Sequence, residues 1–140
     1  MRNTSAIGNI GQAKISAKFI ELGINVFSPI GEGYTTDLIA EFNGKLNKIQ
    51  IKTTEFLHED SYMKWWVTHQ EGNHGKVKKY TPEEVDYFAL YCIATGTMYL
   101  VPYTDALTQK VIIRLDSYKG RRNKTMKFES EYLFENFITF

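Results

Sequence analysis

An acid, an amide and a lysine lie close enough along the chain to share one short hairpin. Asn43-Gly44 is the strongest short-range signal for a two-residue β-turn. With that turn, Asp37 lies directly opposite Gln50. Lys52 projects from the same face as Gln50, because side chains alternate along a strand. Opposed Cβ atoms in a hairpin are about 5 Å apart, so a carboxylate, an amide oxygen and an ammonium are crowded into one small site.

The opposite face of the same hairpin is apolar and suits a protein core. It carries Leu38, Ala40, Ile49 and Ile51. Two interpretations of the polar face have equal weight at this point. One is a cross-strand salt bridge on a sheet surface, which is common and nearly neutral in energy. The other is a site that binds a metal ion and a phosphate.

Length and composition indicate a single domain, residues 1–140, with one core. The single cysteine, Cys92, cannot form an internal disulfide and lies in an apolar run, so we interpret it as a buried small hydrophobe. No segment resembles a signal peptide or a membrane span. These features predict a soluble, intracellular (cytoplasmic) protein with no membrane partner.

Charge is unevenly distributed although the formal net charge is only +1. Residues 110–127 contain seven basic residues and one acid, whereas residues 19–60 contain seven acids and three lysines. A basic segment set against an acidic centre is expected where a polyanion is held near a metal-binding site.

The predicted elements begin with a helix over residues 4–22, ended by Gly23. Its buried stripe is predicted from 3–4 spacing as Ala6, Ile10, Ala13, Ala17 and Ile20. Strands are predicted at 26–29, from about 37, at 65–69, 87–94, 98–101 and 111–115. A short helix or turn is expected at 81–84, a basic loop at 117–124 and a terminal helix at 130–137. This order predicts an α/β fold with a central mixed β-sheet flanked by helices.

Three short motifs in this order resemble the PD-(D/E)XK nuclease superfamily. They are Gly8-Asn-Ile-Gly11-Gln12-Ala13 on the first helix, Thr36-Asp37-Leu-Ile39, and Gln50-Ile-Lys52-Thr53-Thr54. Residues 86–91 and 99–102 resemble a later element of one small branch. That branch contains short homing endonucleases and resembles Holliday-junction resolvases. The resemblance implies a PD-(D/E)XK nuclease-like core.

The resemblance also implies roles for the residues of the hairpin site. Asp37, the side-chain oxygen of Gln50 and the backbone carbonyl of Ile51 would bind Mg²⁺ or Mn²⁺, which prefer oxygen ligands. Lys52 would orient the attacking water and stabilise developing negative charge. Gln12 would reach the metal directly or through water.

Two positions depart from the superfamily pattern. Gln50 stands where most members have an acid, as it does in the homing-type branch. Gln12 stands where a glutamate is usual. Three origins of Gln12 stay open: natural drift, a loss of activity, and an engineered change.

Basic residues outside the hairpin are candidates for nucleic-acid contact. Arg121, Arg122, Asn123 and Lys124 form the densest group, and we interpret it as DNA-binding. Lys76, Lys78 and Lys79 fit a solvated turn and a phosphate contact equally well. The histidines His58, His69 and His74 have no metal-ligand spacing. Of Trp65 and Trp66, one is expected in the core and the other to stack on a base or pack at a subunit interface.

Together these features predict a metal-dependent DNA endonuclease, homing-endonuclease-like and acting as a homo-oligomer, either a dimer or a tetramer. Two related alternatives are a Holliday-junction resolvase and a catalytically weakened nuclease-fold protein that binds DNA without cutting it. A third alternative is an interaction protein that keeps the fold for a protein partner.

Overall fold

The computed structural model describes residues 3–70 and 76–140. The elements in this part are α1 (Thr4–Glu21), β1 (Asn25–Phe27), β2 (Leu38–Phe42), β3 (Lys45–Thr54), β4 (Tyr62–Trp66), β5 (Thr68–Gln70), β6 (Val77–Lys79), β7 (Tyr87–Cys92), β8 (Thr97–Pro102), β9 (Lys110–Arg114) and β10 (Lys127–Phe128), with 3₁₀ turns at Glu129–Glu131 and Phe134–Asn136.

The predicted turn forms and sets the register of the central hairpin. Asn43 and Gly44 have φ values of 56° and 71°, as a type I′ turn requires at both positions. Strands β2 and β3 pair antiparallel with Leu38 opposite Ile49. The same register, continued by one residue, places Asp37 opposite Gln50.

A five-stranded sheet is built around this hairpin, in the order β1-β2-β3-β7-β8. The β3–β7 pair is parallel and the other three pairs are antiparallel. The sheet is therefore mixed, and with α1 against one face it confirms the predicted α/β class.

Helix α1 covers the sheet with a face that differs from the predicted one. Its buried residues are Gly11, Ile15 and Phe19, whereas Ile20 is 60% exposed. The predicted stripe was therefore wrong by about half a turn, although Ala6 and Ile10 are partly buried. The reason is size: a face with Ile15 and Phe19 buries more apolar surface than one built on alanines.

The other face of the central sheet is covered by a second sheet. Strands β10, β9 and β4 form it in that order, and Met63, Trp65, Val111 and Ile113 pack from it against β7 and β8. The terminal helix predicted at 130–137 was wrong, because the segment forms two short 3₁₀ turns. Phe134 packs into the α1 side of the core there.

Several smaller predictions can be compared with the structure. The strand predicted at 65–69 is interrupted at Val67, so β4 and β5 are separate. The Thr81–Glu84 segment is a turn, closed by a hydrogen bond from the Glu84 amide to the Thr81 carbonyl. Cys92 is buried as predicted. In the described residues, no helix is long and apolar enough to cross a membrane.

Candidate active site

The Asp37 carboxylate is fixed by two donors from β3. Its Oδ2 accepts hydrogen bonds from Gln50 Nε2 at 2.7 Å and from the Ile51 amide at 2.9 Å. The Asp37 amide in turn donates to the Ile49 carbonyl at 3.2 Å. These contacts follow directly from the hairpin register, so the acid and the amide lie together as predicted.

The neighbours of the Asp37 carboxylate offset only part of the cost of burying its negative charge. Burial raises its pKa, while the Ile51 amide and the positive charge of Lys52 lower it less strongly. Within the described residues, Asp37 and Lys52 do not form a direct ion pair. The simple cross-strand salt bridge considered from the sequence is therefore not what the hairpin forms.

Lys52 is held by groups from outside the hairpin. Its Nζ donates to the Thr68 carbonyl at 3.1 Å and lies 5.0 Å from the centre of the Tyr80 ring. Burial lowers the pKa of Lys52, and the negative charge of Asp37 opposes that effect. The ammonium is thus fixed close to Asp37 without being neutralised by it.

Sequence reasoning missed Thr68 and Tyr80 as parts of this site. Thr68 contributes a backbone carbonyl, which any residue type supplies. Tyr80 is 3% exposed, and His69 lies against it with ring centroids 4.5 Å apart. The β5–β6 pairing, with Thr68 opposite Lys79, brings these residues together, and no motif in the sequence signals it.

A divalent metal ion fits the residues of this site. Gln50 is buried, and its Oε1 has no hydrogen-bond partner although Nε2 of the same amide contacts Asp37. An unsatisfied buried acceptor costs about 1–3 kcal/mol, and an oxygen-binding cation beside Asp37 would satisfy it. No group of three or more His, Cys, Asp and Glu side chains suited to a metal occurs in the described chain, so Asp37 would be joined by neutral ligands.

In the part of the chain that the structure describes, Gln12 makes no hydrogen bond to the residues of this site. It is exposed on α1, next to Gly11, whose backbone packs against Thr53 at the end of β3. No hydrogen bond joins Gln12 to Asp37, Gln50 or Lys52 in the described structure. Its predicted contact with a metal stays a prediction, as does that of the Ile51 carbonyl.

The basic loop at 121–124 is exposed, but two of its side chains already make hydrogen bonds within the protein. Arg122 donates to the carbonyls of Asp116 and Tyr118 and lies 4.0 Å from the Phe128 ring centroid. Asn123 accepts from the amide and hydroxyl of Thr125. Arg121 and Lys124 are exposed on either side, which leaves them the better placed for phosphate.

The second basic group lies on and beside β6. Lys76, Lys78 and Lys79 are exposed, and Lys79 donates to the Asp105 carbonyl at 2.7 Å. Because β6 pairs with β5 beside Lys52, these lysines lie near the candidate site. Of the histidines, His58 stacks on Tyr62, while His74 lies outside the described residues.

The chain is an α/β protein in which an acid, an amide and a lysine meet at the central hairpin of a mixed sheet. The sequence profile of a family described as PD-(D/E)XK endonuclease matches residues 2–135. The chain therefore belongs to the PD-(D/E)XK endonuclease family.

A solved structure supports the fold assignment. A bacterial homing endonuclease, I-Ssp6803I, superposes with a TM-score of 0.66 at 20% sequence identity, covering 88% of this chain and 84% of the other. At this identity the likeness concerns the fold. No curated protein is significantly similar to the chain in sequence.

Proposed function

We propose that this protein is a metal-dependent DNA endonuclease that hydrolyses phosphodiester bonds in the manner of a homing endonuclease. The observation that carries the proposal is the orphaned Oε1 of buried Gln50 beside the carboxylate of Asp37. This pair of oxygens suits Mg²⁺ or Mn²⁺, and a lysine lies close enough to act on the same phosphate.

Each residue has a distinct task in this proposal. Asp37 and Gln50 bind the metal through side-chain oxygens, and the Ile51 carbonyl adds a neutral ligand. When bound, the metal lowers the pKa of water and polarises the phosphoryl group. Lys52, fixed by the Thr68 carbonyl, orients the attacking water and stabilises negative charge on the phosphate oxygens.

The low charge of the site has a consequence for affinity. Asp37 is its only anionic ligand in this proposal, so the metal binds weakly without DNA and the phosphate completes its coordination. The exposed Gln12 supports a second candidate, a nuclease-fold protein that binds DNA and no longer cuts. A carboxylate at residue 12 would add the missing negative charge.

The test is nicking of supercoiled plasmid and of branched DNA over a titration of Mg²⁺ and of Mn²⁺. Asp37→Ala should abolish cleavage, because the anionic ligand is lost. Lys52→Ala should reduce cleavage far more than DNA binding. Gln12→Glu should tighten metal binding and raise cleavage. Glu21→Gln, a charge change at the exposed end of α1, is the matched control and should behave as the unmodified protein.

Two outcomes would contradict the proposal. Cleavage that survives Asp37→Ala would place the active site elsewhere. If the protein binds DNA but the Gln12→Glu variant still does not cut, the second candidate, a nuclease-fold protein that only binds DNA, is correct. A preference for branched over linear DNA would instead identify the junction-resolving alternative.

We also propose that the active form is a homo-oligomer. Cutting both strands of a duplex requires two copies of one site, and symmetric assembly supplies them. Exposed apolar side chains near the β1 edge of the sheet support this, with Phe27 52%, Ile30 106% and Tyr34 65% exposed. Light scattering of the purified protein should give the mass of a dimer or tetramer, and a monomer would contradict the proposal.

A further inference from the structure

The outer surface of the second sheet has a composition unlike its buried side. Strands β4 and β9 pair antiparallel with Trp66 opposite Lys110. Their inward side chains are apolar and buried. We call the outward-facing positions the β4–β9 face; they are Tyr62, Lys64, Trp66, Lys110, Ile112 and Arg114.

Trp66, the last residue of β4, is the exposed tryptophan of the β4–β9 face. Its side chain is 57% exposed, whereas the adjacent Trp65 is 1% exposed. Lys64 Nζ lies 5.5 Å and Lys110 Nζ 6.0 Å from the Trp66 ring centroid. Both ammonium groups lie over the ring within cation–π distance, and the exposed part of the indole offers a stacking surface beside two sites for negative charge.

The positive charge continues along the same face. The Arg114 guanidinium lies between the rings of Tyr62 and Tyr118, at 5.8 Å and 5.3 Å. Its Nε is buried and has no acceptor among the described residues. Beside it is a cavity of about 300 Å³, lined partly by Lys110 and Lys127. An anionic group bound there would lie among the side chains of Arg114, Lys110 and Lys127.

Strand β4 brings the β4–β9 face next to the candidate active site. Trp66 ends β4, and Thr68, two residues on, accepts the hydrogen bond from Lys52. Strand β4 also packs against β3, which carries Gln50 and Lys52. Two extended residues span about 7 Å, about the spacing of neighbouring nucleotides in an extended strand. A DNA strand with its phosphate at Lys52 that crosses the edge of β4 would therefore reach Trp66 within a few nucleotides.

We infer that the β4–β9 face binds the DNA strand next to the reacting phosphate, with Trp66 stacked on an unpaired base and Lys64 and Lys110 contacting the flanking phosphates. The base must be unpaired or unstacked, because neighbouring base pairs cover the base faces inside a duplex. In a duplex substrate the contact therefore forms only where a base turns out of the helix, at a cost of a few kcal/mol. The inference rests on DNA being the substrate, as proposed above, and names the DNA feature that the protein recognises.

Tryptophan fluorescence measures this contact directly. A short oligothymidylate is titrated into the protein in EDTA, so that no metal-dependent cleavage occurs. Stacking on Trp66 should quench the exposed indole and leave the buried Trp65 unaffected. In Trp66→Phe, the quenching should disappear while the oligonucleotide still binds, since a phenyl ring also stacks. A blunt duplex should quench the unmodified protein much less.

Affinity measurements separate stacking from charge. Trp66→Ala should weaken oligothymidylate binding by at least about fivefold, as expected for the loss of one stacked base. Lys64→Ala and Lys110→Ala should each lower the salt dependence by roughly 0.7 units of slope, the value for one phosphate on a single strand. Phe140→Ala removes a 76% exposed aromatic residue elsewhere and is the matched control.

Two results would overturn the inference. Unchanged affinity and quenching in Trp66→Ala would show that the indole is not a DNA contact. A change from oligomer to monomer in Trp66→Ala, with DNA binding per subunit retained, would identify the β4–β9 face as an interface between copies of the chain. Loss of cleavage without loss of quenching would count only against the proposed endonuclease activity, so the two proposals fail separately.

Discussion

The Gln50 side chain suits the proposed metal site but lowers the stability of the metal-free protein, because one of its polar atoms is buried without a partner. Its amide donates to Asp37 through Nε2 while its Oε1 stays buried without a partner. A hydrophobic residue would not leave this orphan, but it would take away one of the two donors to the Asp37 carboxylate. In the proposed function, a metal ion would resolve the conflict by taking both oxygens as ligands.

Gln50→Glu tests this arrangement by thermal unfolding. Without metal, a second carboxylate replaces the donor that now lies 2.7 Å from Asp37, and we expect the protein to lose about 1–3 kcal/mol of stability. With Mg²⁺, the added anionic ligand should give a larger increase in Tm than in the unmodified protein. Gln12→Glu is the control for the metal-free state, since Gln12 is exposed. An unchanged response to Mg²⁺ in Gln50→Glu would show that residue 50 does not bind the metal.

Tyr80 is expected to position Lys52 through its ring. Tyr80→Leu removes the aromatic face 5.0 Å from the ammonium, so cleavage should fall about 2- to 30-fold, the equivalent of about 0.5–2 kcal/mol. Tyr80→Phe keeps the ring and should retain activity. Metal-free DNA affinity should be unchanged in both variants. Equal losses in Tyr80→Phe and Tyr80→Leu would assign the effect to the hydroxyl instead.

The local part of the site could be predicted from the sequence, and the long-range part could not. Asp37 and Gln50 face each other because a two-residue turn fixes the register, which depends only on nearby residues. Lys52 was placed on the correct face for the same reason. Its partner Thr68 comes from β5, and Tyr80 directly follows β6. The approach of these two strands depends on packing across the second layer.

At the scale of elements, α1 approaches β3 so closely at Gly11 that no side chain fits there. A Cβ added at Gly11 would lie 1.7 Å from Thr53 Oγ1 and 2.9 Å from Thr53 Cβ. Gly11→Ala therefore forces α1 away from the sheet, and we expect it to lower the free energy of unfolding by about 1–3 kcal/mol. Urea denaturation measures the change.

Gly8 provides the matched control for this prediction. It lies on the same helix, and an added Cβ there meets nothing within 4 Å. Gly8→Ala should therefore stabilise the protein by about 0.5–1 kcal/mol through helix propensity alone. Adding Thr53→Ala to Gly11→Ala should recover part of the loss. Equal effects of Gly8→Ala and Gly11→Ala would contradict the close contact.

The Asn43 side chain connects the hairpin turn to the C-terminal segment. Its Nδ2 donates to the Phe137 carbonyl, and its Oδ1 accepts from the Thr139 amide, both at 2.7 Å. Asn43→Gly keeps the positive φ that the turn requires but loses both bonds, so we expect a loss of about 1–2 kcal/mol. Hydrogen exchange should accelerate at the Thr139 amide, while the Asp37 amide keeps its protection. Unchanged exchange at Thr139 would contradict this role.

The prediction errors at this scale share one physical cause. The buried face of α1 and the form of segment 130–137 are both decided by large side chains meeting across the core. Phe19 contacts Phe134 with ring centroids 5.0 Å apart, which anchors the segment as short turns. Local periodicity favours a helix and an alanine stripe, but it carries no information about such partners.

At the scale of the molecule, the central sheet separates two apolar clusters. One lies beneath α1 and the other beneath the second sheet. The β3–β7 parallel pair contributes to both clusters, because alternate residues of β7 face opposite sides. The second sheet was not predicted as a layer, since its parallel β9–β10 pair and its packing join segments far apart in the chain.

The reactivity of the Cys92 thiol shows whether the two sheets separate. It is fully buried between the two sheets, so a thiol reagent should modify it only when the core unfolds. The labelling rate should rise with urea as steeply as global unfolding does. Ser5→Cys, on the exposed start of α1, should be labelled at once. Fast labelling of Cys92 without denaturant would mean that the layers separate locally.

The hydrogen bond from Lys52 to the Thr68 carbonyl has a consequence for how variation in this protein is interpreted. A main-chain acceptor is supplied by every amino acid, so substitutions at residue 68 that keep the extended backbone should be almost silent. An insertion or deletion between residues 66 and 68 would move the carbonyl and with it the ammonium. The position of the Lys52 ammonium is therefore sensitive to chain length near residue 68 but insensitive to which amino acid stands there.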